Sequence, residues 1–187
     1  MIAILYNIRS LHNVGSIFRT ADAAGFEKIY LCGITPSPYD IFGKPRQSLI
    51  KVSLGAEKYL KWEKIGPAKL ALAARITANL LKNLKKEGYE ILAIEQSKNS
   101  VPYFQYMRSK TTNTSESTNR FQAANLSKPK SQKQKKKQAL IVGNEIKGLP
   151  PSILKMADKT LEIPMFGKKE SLNVSVAFGI VAFSLIN

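Results

Sequence analysis

Apolar residues along this chain alternate between short unbroken blocks and stripes at helical spacing, so strands and helices are expected in turn. Ile2–Tyr6 is five apolar residues in a row, the pattern of a strand buried on both faces. Asn13 reads as a helix N-cap. Val14, Ile17, Phe18, Ala21 and Ala24 follow at helical spacing, and Gly25 supplies the stop. Lys28–Cys32 predicts a second strand, and residues 35–42 a Pro-rich loop. The residues around Val52 predict a short strand before Gly55 and Ala56. A long helix is expected from Pro67, through Leu70, Ala74, Leu81 and Leu84, to Gly88. Residues 91–94 and 139–142 predict two more strands. A short helix is expected after Pro150 and Pro151, a last strand at residues 161–163, and a final helix at Val174–Ile186.

Strands alternating with helices predict an α/β fold, a parallel sheet flanked by helices on both faces. In such sheets ligands bind beyond the carboxyl ends of the strands. Three polar or glycine-bearing turns follow predicted strands there, after Tyr6, Val142 and Ile163, and they are expected to converge on one site. The final helix is apolar on nearly every face yet carries Ser175, Ala177, Gly179, Ala182 and Ser184. Small residues permit close backbone approach, so this helix is expected either in the core or against a second subunit.

With 187 residues, 44% of them apolar, the chain suits one folded domain, expected to span residues 1–187. Met1 to Tyr6 lacks a basic leader and a cleavage site, and Val174–Ile186 is short for a bilayer span, which predicts a soluble protein. The single cysteine, Cys32, excludes an internal disulfide and a cysteine metal cluster, and the lone His12 excludes most histidine metal sites. Cys32 is expected to be a packed thiol, and a reducing, cytoplasmic setting follows.

Net charge changes the picture more. At +16 the chain calls for a polyanionic partner, nucleic acid before an anionic membrane surface. Residues 98–138 hold ten Lys and Arg against one acid, Glu116, and so carry +9 of that charge. Residues 109–138 are rich in Ser, Thr, Asn, Lys and Gln and poor in apolar residues. They predict a flexible basic insertion in one domain, able to hold RNA phosphates through Lys133, Lys135, Lys136 and Lys137.

Neither G-x-G-x-x-G nor G-x-x-x-x-G-K-[ST] occurs, and one histidine makes a Ser-His-Asp triad untenable. Three other segments stand out. One is Asn7-Ile8-Arg9-Ser10-Leu11-His12-Asn13-Val14-Gly15-Ser16-Ile17-Phe18-Arg19-Thr20-Ala21. The second is Ile141-Val142-Gly143-Asn144-Glu145-Ile146-Lys147-Gly148-Leu149. The third is Ile163-Pro164-Met165, followed by Ser171-Leu172-Asn173-Val174-Ser175-Val176-Ala177. In order and content they resemble the three signature motifs of the SpoU/TrmH family of RNA 2′-O-methyltransferases, and Ser53-Leu54-Gly55-Ala56 adds to the likeness. The resemblance covers nearly the whole chain except the insertion.

It implies a deep trefoil knot at the C-terminal end of the sheet, S-adenosylmethionine as cofactor, a tRNA or rRNA substrate, and a homodimer with its active site at the interface. It implies catalytic roles for Asn13, Arg19, Glu145, Ser171 and Asn173. Ile94, Gly143, Asn144, Gly148, Ile163, Met165, Ser171 and Leu172 would hold the cofactor, and Arg9 and Arg19 would join the lysines on RNA. Helical geometry adds that Arg19 lies about 150° from the apolar stripe of its helix, so it faces solvent, ligand or another subunit. A guanidinium rarely gives up its proton. Arg19 is therefore expected to hold a phosphate and favour developing charge on the attacking oxygen, the proton passing to water, Glu145 or the phosphate. Many relatives carry an added RNA-binding segment, whereas here grip is expected from the body, the insertion and the dimer. Two other readings stay open: a knotted methyltransferase acting on base nitrogens, and a non-catalytic RNA-binding knot protein.

Overall fold

The structure, a computed structural model, describes residues 1–66, 70–112 and 137–186. Seven strands form one sheet: β1 (Ile2–Tyr6), β2 (Lys28–Cys32), β3 (Lys61–Ile65), β4 (Glu90–Ile94), β5 (Val101–Pro102), β6 (Gln138–Val142) and β7 (Lys159–Glu162). Their order is β3-β2-β1-β6-β4-β7-β5, and every pairing is parallel. The helices are α1 (Leu11–Ala23), α2 (Gln47–Ser53), α3 (Ala56–Tyr59), α4 (Leu70–Lys86), α5 (Tyr103–Thr112), α6 (Pro151–Leu154) and α7 (Val174–Ile186). Among the described residues no helix is long and apolar enough to cross a membrane.

Strand alternation divides the core in two. Ala3, Leu5, Ile29, Leu31, Leu92, Leu140 and Val142 point to the face covered by α1, α7 and Tyr106 of α5. Ile2, Ile4, Tyr6, Ile91, Ala93, Ala139 and Ile141 point to the other, where Leu81 and Leu84 of α4 and Ile153 of α6 pack. β1 and β6 are buried along their whole length because both faces are covered, which is why they read as unbroken apolar runs.

Several expectations need correction. Asn13 is not the N-cap of α1. Ser10 is, in an extended conformation, its hydroxyl accepting from Asn13 N at 3.3 Å, and Asn13 lies inside the first turn. The region around Val52 is helical, not a strand. Leu49 and Ser53 bury one face of α2, and Leu54 ends it in a left-handed turn, φ 51°. Gly15 is what lets α2 lie so close to α1, since a Cβ there would meet the Leu49 carbonyl oxygen at 2.5 Å. The last strand begins earlier, at Lys159, and ends at Glu162. β3 is an edge strand whose Lys61, Glu63 and Lys64 hide it from any apolar pattern. Below the expected insertion, α5 runs on to Thr112; above it, Gln138 is already a buried residue of β6, its amide donating to the Tyr106 hydroxyl at 3.1 Å. The expected helix start at Pro67 and the lysines at 133, 135 and 136 lie outside the described residues.

α7 spans its expected residues. Phe178, Val181, Ala182 and Leu185 are buried, while Val176 and Phe183 on its outer side stay 50% and 43% exposed. Gly179 lies beside Thr20 of α1. Cys32 is buried, and burial pushes its thiol pKa up to about 11.

Candidate active site

The three turns do converge at the carboxyl ends of β1, β6 and β7. Asn7 leaves β1 with φ 56°, and its side-chain oxygen accepts from Ile34 N at 3.0 Å. Ile8 N donates to the Thr35 hydroxyl, which donates in turn to the Leu5 carbonyl. The chain is thereby laid down so that the N–H groups of Arg9 and Ser10 face the turn after β6.

Glu145 stands in that turn and receives them. Arg9 N lies 3.0 Å from Oε2, and Ser10 N and Asn13 Nδ2 each 3.0 Å from Oε1. Burial pushes the Glu145 pKa up, but the N–H donors from Ser10, Arg9 and Asn13 outweigh it and hold the carboxyl below its usual range. Asn13 has a second bond, its carbonyl oxygen accepting from Asn173 Nδ2 at 3.0 Å. Asn173 also caps α7, accepting from Ser175 N at 2.9 Å and from the Ser175 hydroxyl at 2.7 Å. One chain of hydrogen bonds thus joins all three motifs.

Asn144 shapes the turn itself. Its amide donates to the Asn7 carbonyl at 2.8 Å, and its side-chain oxygen accepts from Ile146 N and Lys147 N. Gly148 closes the turn with φ 61°, donating to the Asn144 carbonyl at 2.9 Å. Glu95, which the sequence reading passed over, holds the far side: Leu149 N donates to it at 2.8 Å, and its carboxylate occupies the space where a Cβ on Gly148 would go. The available signal was its place, an acid directly after β4.

A cavity opens between the ends of β4, β6 and β7. Ile94, Gly143, Asn144, Gly148, Ile163, Met165, Ser171 and Leu172 all line it, as do Glu145 and Asn173. Three acidic residues, Glu95, Glu145 and Glu162, are among its lining, and among the described residues no Lys, Arg or His lines it. Glu162 is held by the Ser100 hydroxyl at 2.5 Å.

The remaining nominated residues fall elsewhere. Arg19 is exposed on α1 and does not line the cavity. It is six residues past Asn13, about 9 Å along the axis and about 240° around it, so the two side chains leave different faces of the helix. Arg9 is likewise exposed and does not line this cavity. Lys137 precedes β6 and stands over the Tyr89 ring at the amino ends of the strands, the opposite end of the sheet from the cavity.

The family model of the SpoU rRNA Methylase family matches residues 1–183. The chain belongs to the SpoU methylase family. It is 30% identical over 184 residues to the tRNA (guanosine(18)-2′-O)-methyltransferase of Aquifex aeolicus, covering 98% of this chain and 67% of that enzyme. Among solved structures, the TrmH/SpoU tRNA modifying enzyme of A. aeolicus superposes with a TM-score of 0.68 at 28% identity, over 99% of this chain and 73% of that one. The AdoMet-bound rRNA methyltransferase of Sinorhizobium meliloti gives a TM-score of 0.69 at 23% identity, over 98% of this chain and 54% of that one. This SpoU-family chain therefore spans between about half and three quarters of the length of these three proteins.

Proposed function

We propose that this chain transfers a methyl group from S-adenosylmethionine to a ribose 2′-hydroxyl of tRNA or rRNA. The observation that carries the reading is the cavity at the strand ends, closed by the Glu145–Asn13–Asn173 bonds and lined by every residue nominated for the cofactor. Its chemistry fits. S-adenosylmethionine carries a sulfonium and an ammonium beside its own carboxylate, and a lining with three acids and, among the described residues, no cation suits the two positive groups. Ile94, Leu161, Ile163 and Leu172 offer an apolar face to an adenine ring. When bound, the cofactor supplies the electrophilic methyl group.

The chain's own residues then orient and stabilise. Glu145, already receiving three N–H donors and held below the usual carboxylate range, is a poor proton acceptor at neutral pH. Its role is to pin the first motif to the second. Asn13 and Asn173 fix the start of α7, so that Ser171 sits at the cavity wall. Arg19 faces away from its own cluster, which supports a role at the cavity of a second copy. The exposed Val176 and Phe183 of α7 support the same homodimer. There Arg19 would grip the phosphate beside the target ribose.

The knot belongs to this reading as well. Residues 163–173 must pass across the ends of β4 and β6 to bring Asn173 to Asn13, a route that a threaded loop provides. So do the single domain spanning residues 1–187, its basic insertion, and a cytoplasmic setting.

The test is methyl transfer from radiolabelled S-adenosylmethionine to total tRNA and rRNA, by wild type and Arg19→Ala, followed by digestion to nucleosides. Label in 2′-O-methyl nucleosides, lost in the variant, is expected. Label on a base would overturn the ribose assignment.

A further inference from the structure

A second cavity, of about 330 Å³, lies on the other side of the turn after β6. It shares Asn144, Ile146 and Gly148 with the first. Tyr6, Ile34, Ile146 and Pro150 give it apolar walls, and Arg9 and Lys147 line it too. Among the described residues no acid does, whereas the first cavity is lined by three acids and no cation. A single turn separates a chamber suited to a cation from one suited to an anion.

The polar groups on its floor are already used. Asn7 is 5% exposed; its side-chain oxygen takes Ile34 N and its carbonyl takes the Asn144 amide. The Asn144 side-chain oxygen takes Ile146 N and Lys147 N. An incoming ligand therefore meets apolar surface and two cations. A flat apolar body joined to an anion is the chemistry of a nucleotide whose base has left its stack. Ile146 is apolar yet 81% exposed at the tip of the turn, placed to cover such a base.

We propose that this second cavity receives the nucleobase of an unstacked RNA nucleotide, with its phosphate on Arg9 and Lys147. The proposal rests on the reading of the first cavity as the cofactor site. Arg9 joins the two: it lines the second cavity while its backbone N–H holds Glu145, so a base here leaves its ribose next to the Glu145–Asn13–Asn173 cluster. In this arrangement one turn presents the methyl donor and the acceptor sugar from its two sides.

The experiment is NMR titration of the full chain with each of the four nucleoside 5′-monophosphates, and with ribose 5-phosphate as the probe lacking a base. At least one nucleotide is expected to shift the amides of Ile34, Ile146 and Lys147, with ribose 5-phosphate at least tenfold weaker. Ile34→Asp should abolish the shifts. Lys147→Gln, at an exposed position that folding tolerates, should weaken nucleotide and ribose 5-phosphate alike. Equal response to ribose 5-phosphate, or no nucleotide response at these amides, would overturn the proposal. Calorimetry with S-adenosylmethionine runs in parallel: no cofactor binding alongside a normal nucleotide response would sink the methyltransferase reading and leave the base site standing.

Discussion

The side-chain amide of Asn173 donates to the side-chain oxygen of Asn13 at 3.0 Å, across 160 residues of sequence. Asn13 passes the link on to Glu145, so one amide side chain connects the start of α1, the turn after β6 and the cap of α7.

Asn13→Ala removes both bonds and leaves Glu145 and Asn173 short of a partner. A loss of about 2 kcal/mol in stability is expected, since a hydrogen bond to a charged group contributes more than a neutral one. Methyl transfer should fall at least tenfold. Urea melts and initial rates, measured on the same preparation, check both.

Glu145 gives a pH dependence of definite sign. Its folded pKa lies below the ordinary value of 4.5. The stability it contributes is therefore fully present above about pH 4.5 and is lost as pH falls through the folded value. The urea midpoint of wild type should exceed that of Glu145→Gln by a constant amount from pH 5 to 8, and the gap should close on acidification. A gap that widened below pH 4 would contradict the assignment.

Gly148→Ala and Gly88→Ala form a pair. Both glycines have positive φ, 61° and 85°, so each substitution carries about 1–2 kcal/mol of left-handed strain. A Cβ at position 88 meets open space, while one at 148 runs into the Glu95 carboxylate. The 148 variant should be the less stable and should bind S-adenosylmethionine at least tenfold more weakly, with Gly88→Ala unchanged in affinity. Thermal melts and calorimetry separate the two.

Arg19→Lys keeps the charge but not the planar fork. Turnover should drop at least tenfold while S-adenosylmethionine affinity stays within twofold of wild type, because Arg19 does not line the cavity proposed for the cofactor. Turnover close to wild type would remove bidentate phosphate positioning from the mechanism.

Cys32 should be silent to thiol reagents at pH 8. It is buried and its pKa is pushed up to about 11, so little thiolate forms and little reagent reaches it. Labelling should appear only with urea, along the global unfolding curve.

Much of this was legible in the chain. β1 and β6 announce themselves because burial on both faces leaves almost only apolar residues, and α7 because it is apolar nearly throughout although its outer side is partly exposed. The lining of the cavity at the strand ends was legible because the motifs fix both residue type and order. What escaped was of two kinds. β3 is an edge strand with charged residues outward, and α2 looked like a strand because Ile50 and Val52 are β-branched, their helical state being imposed by packing against Gly15 of α1. Asn13 and Ser10 both satisfy the N-cap chemistry locally. Only the arrival of Glu145 and Asn173, which lie far along the chain, draws Asn13 away and leaves the cap to Ser10. Glu95 has no motif to mark it, and its importance depends on a turn 54 residues later.

The place of β6 also sets a timetable for birth on the ribosome. It fills the slot between β1 and β4, but 43 residues separate it from the end of β4. At translation speeds this is roughly 2–9 s of synthesis. Throughout it, β1 and β4 both expose an unpaired edge to other nascent chains. A fully buried central strand is thus among the last made, and until it arrives the half-built sheet offers two edges for mispairing.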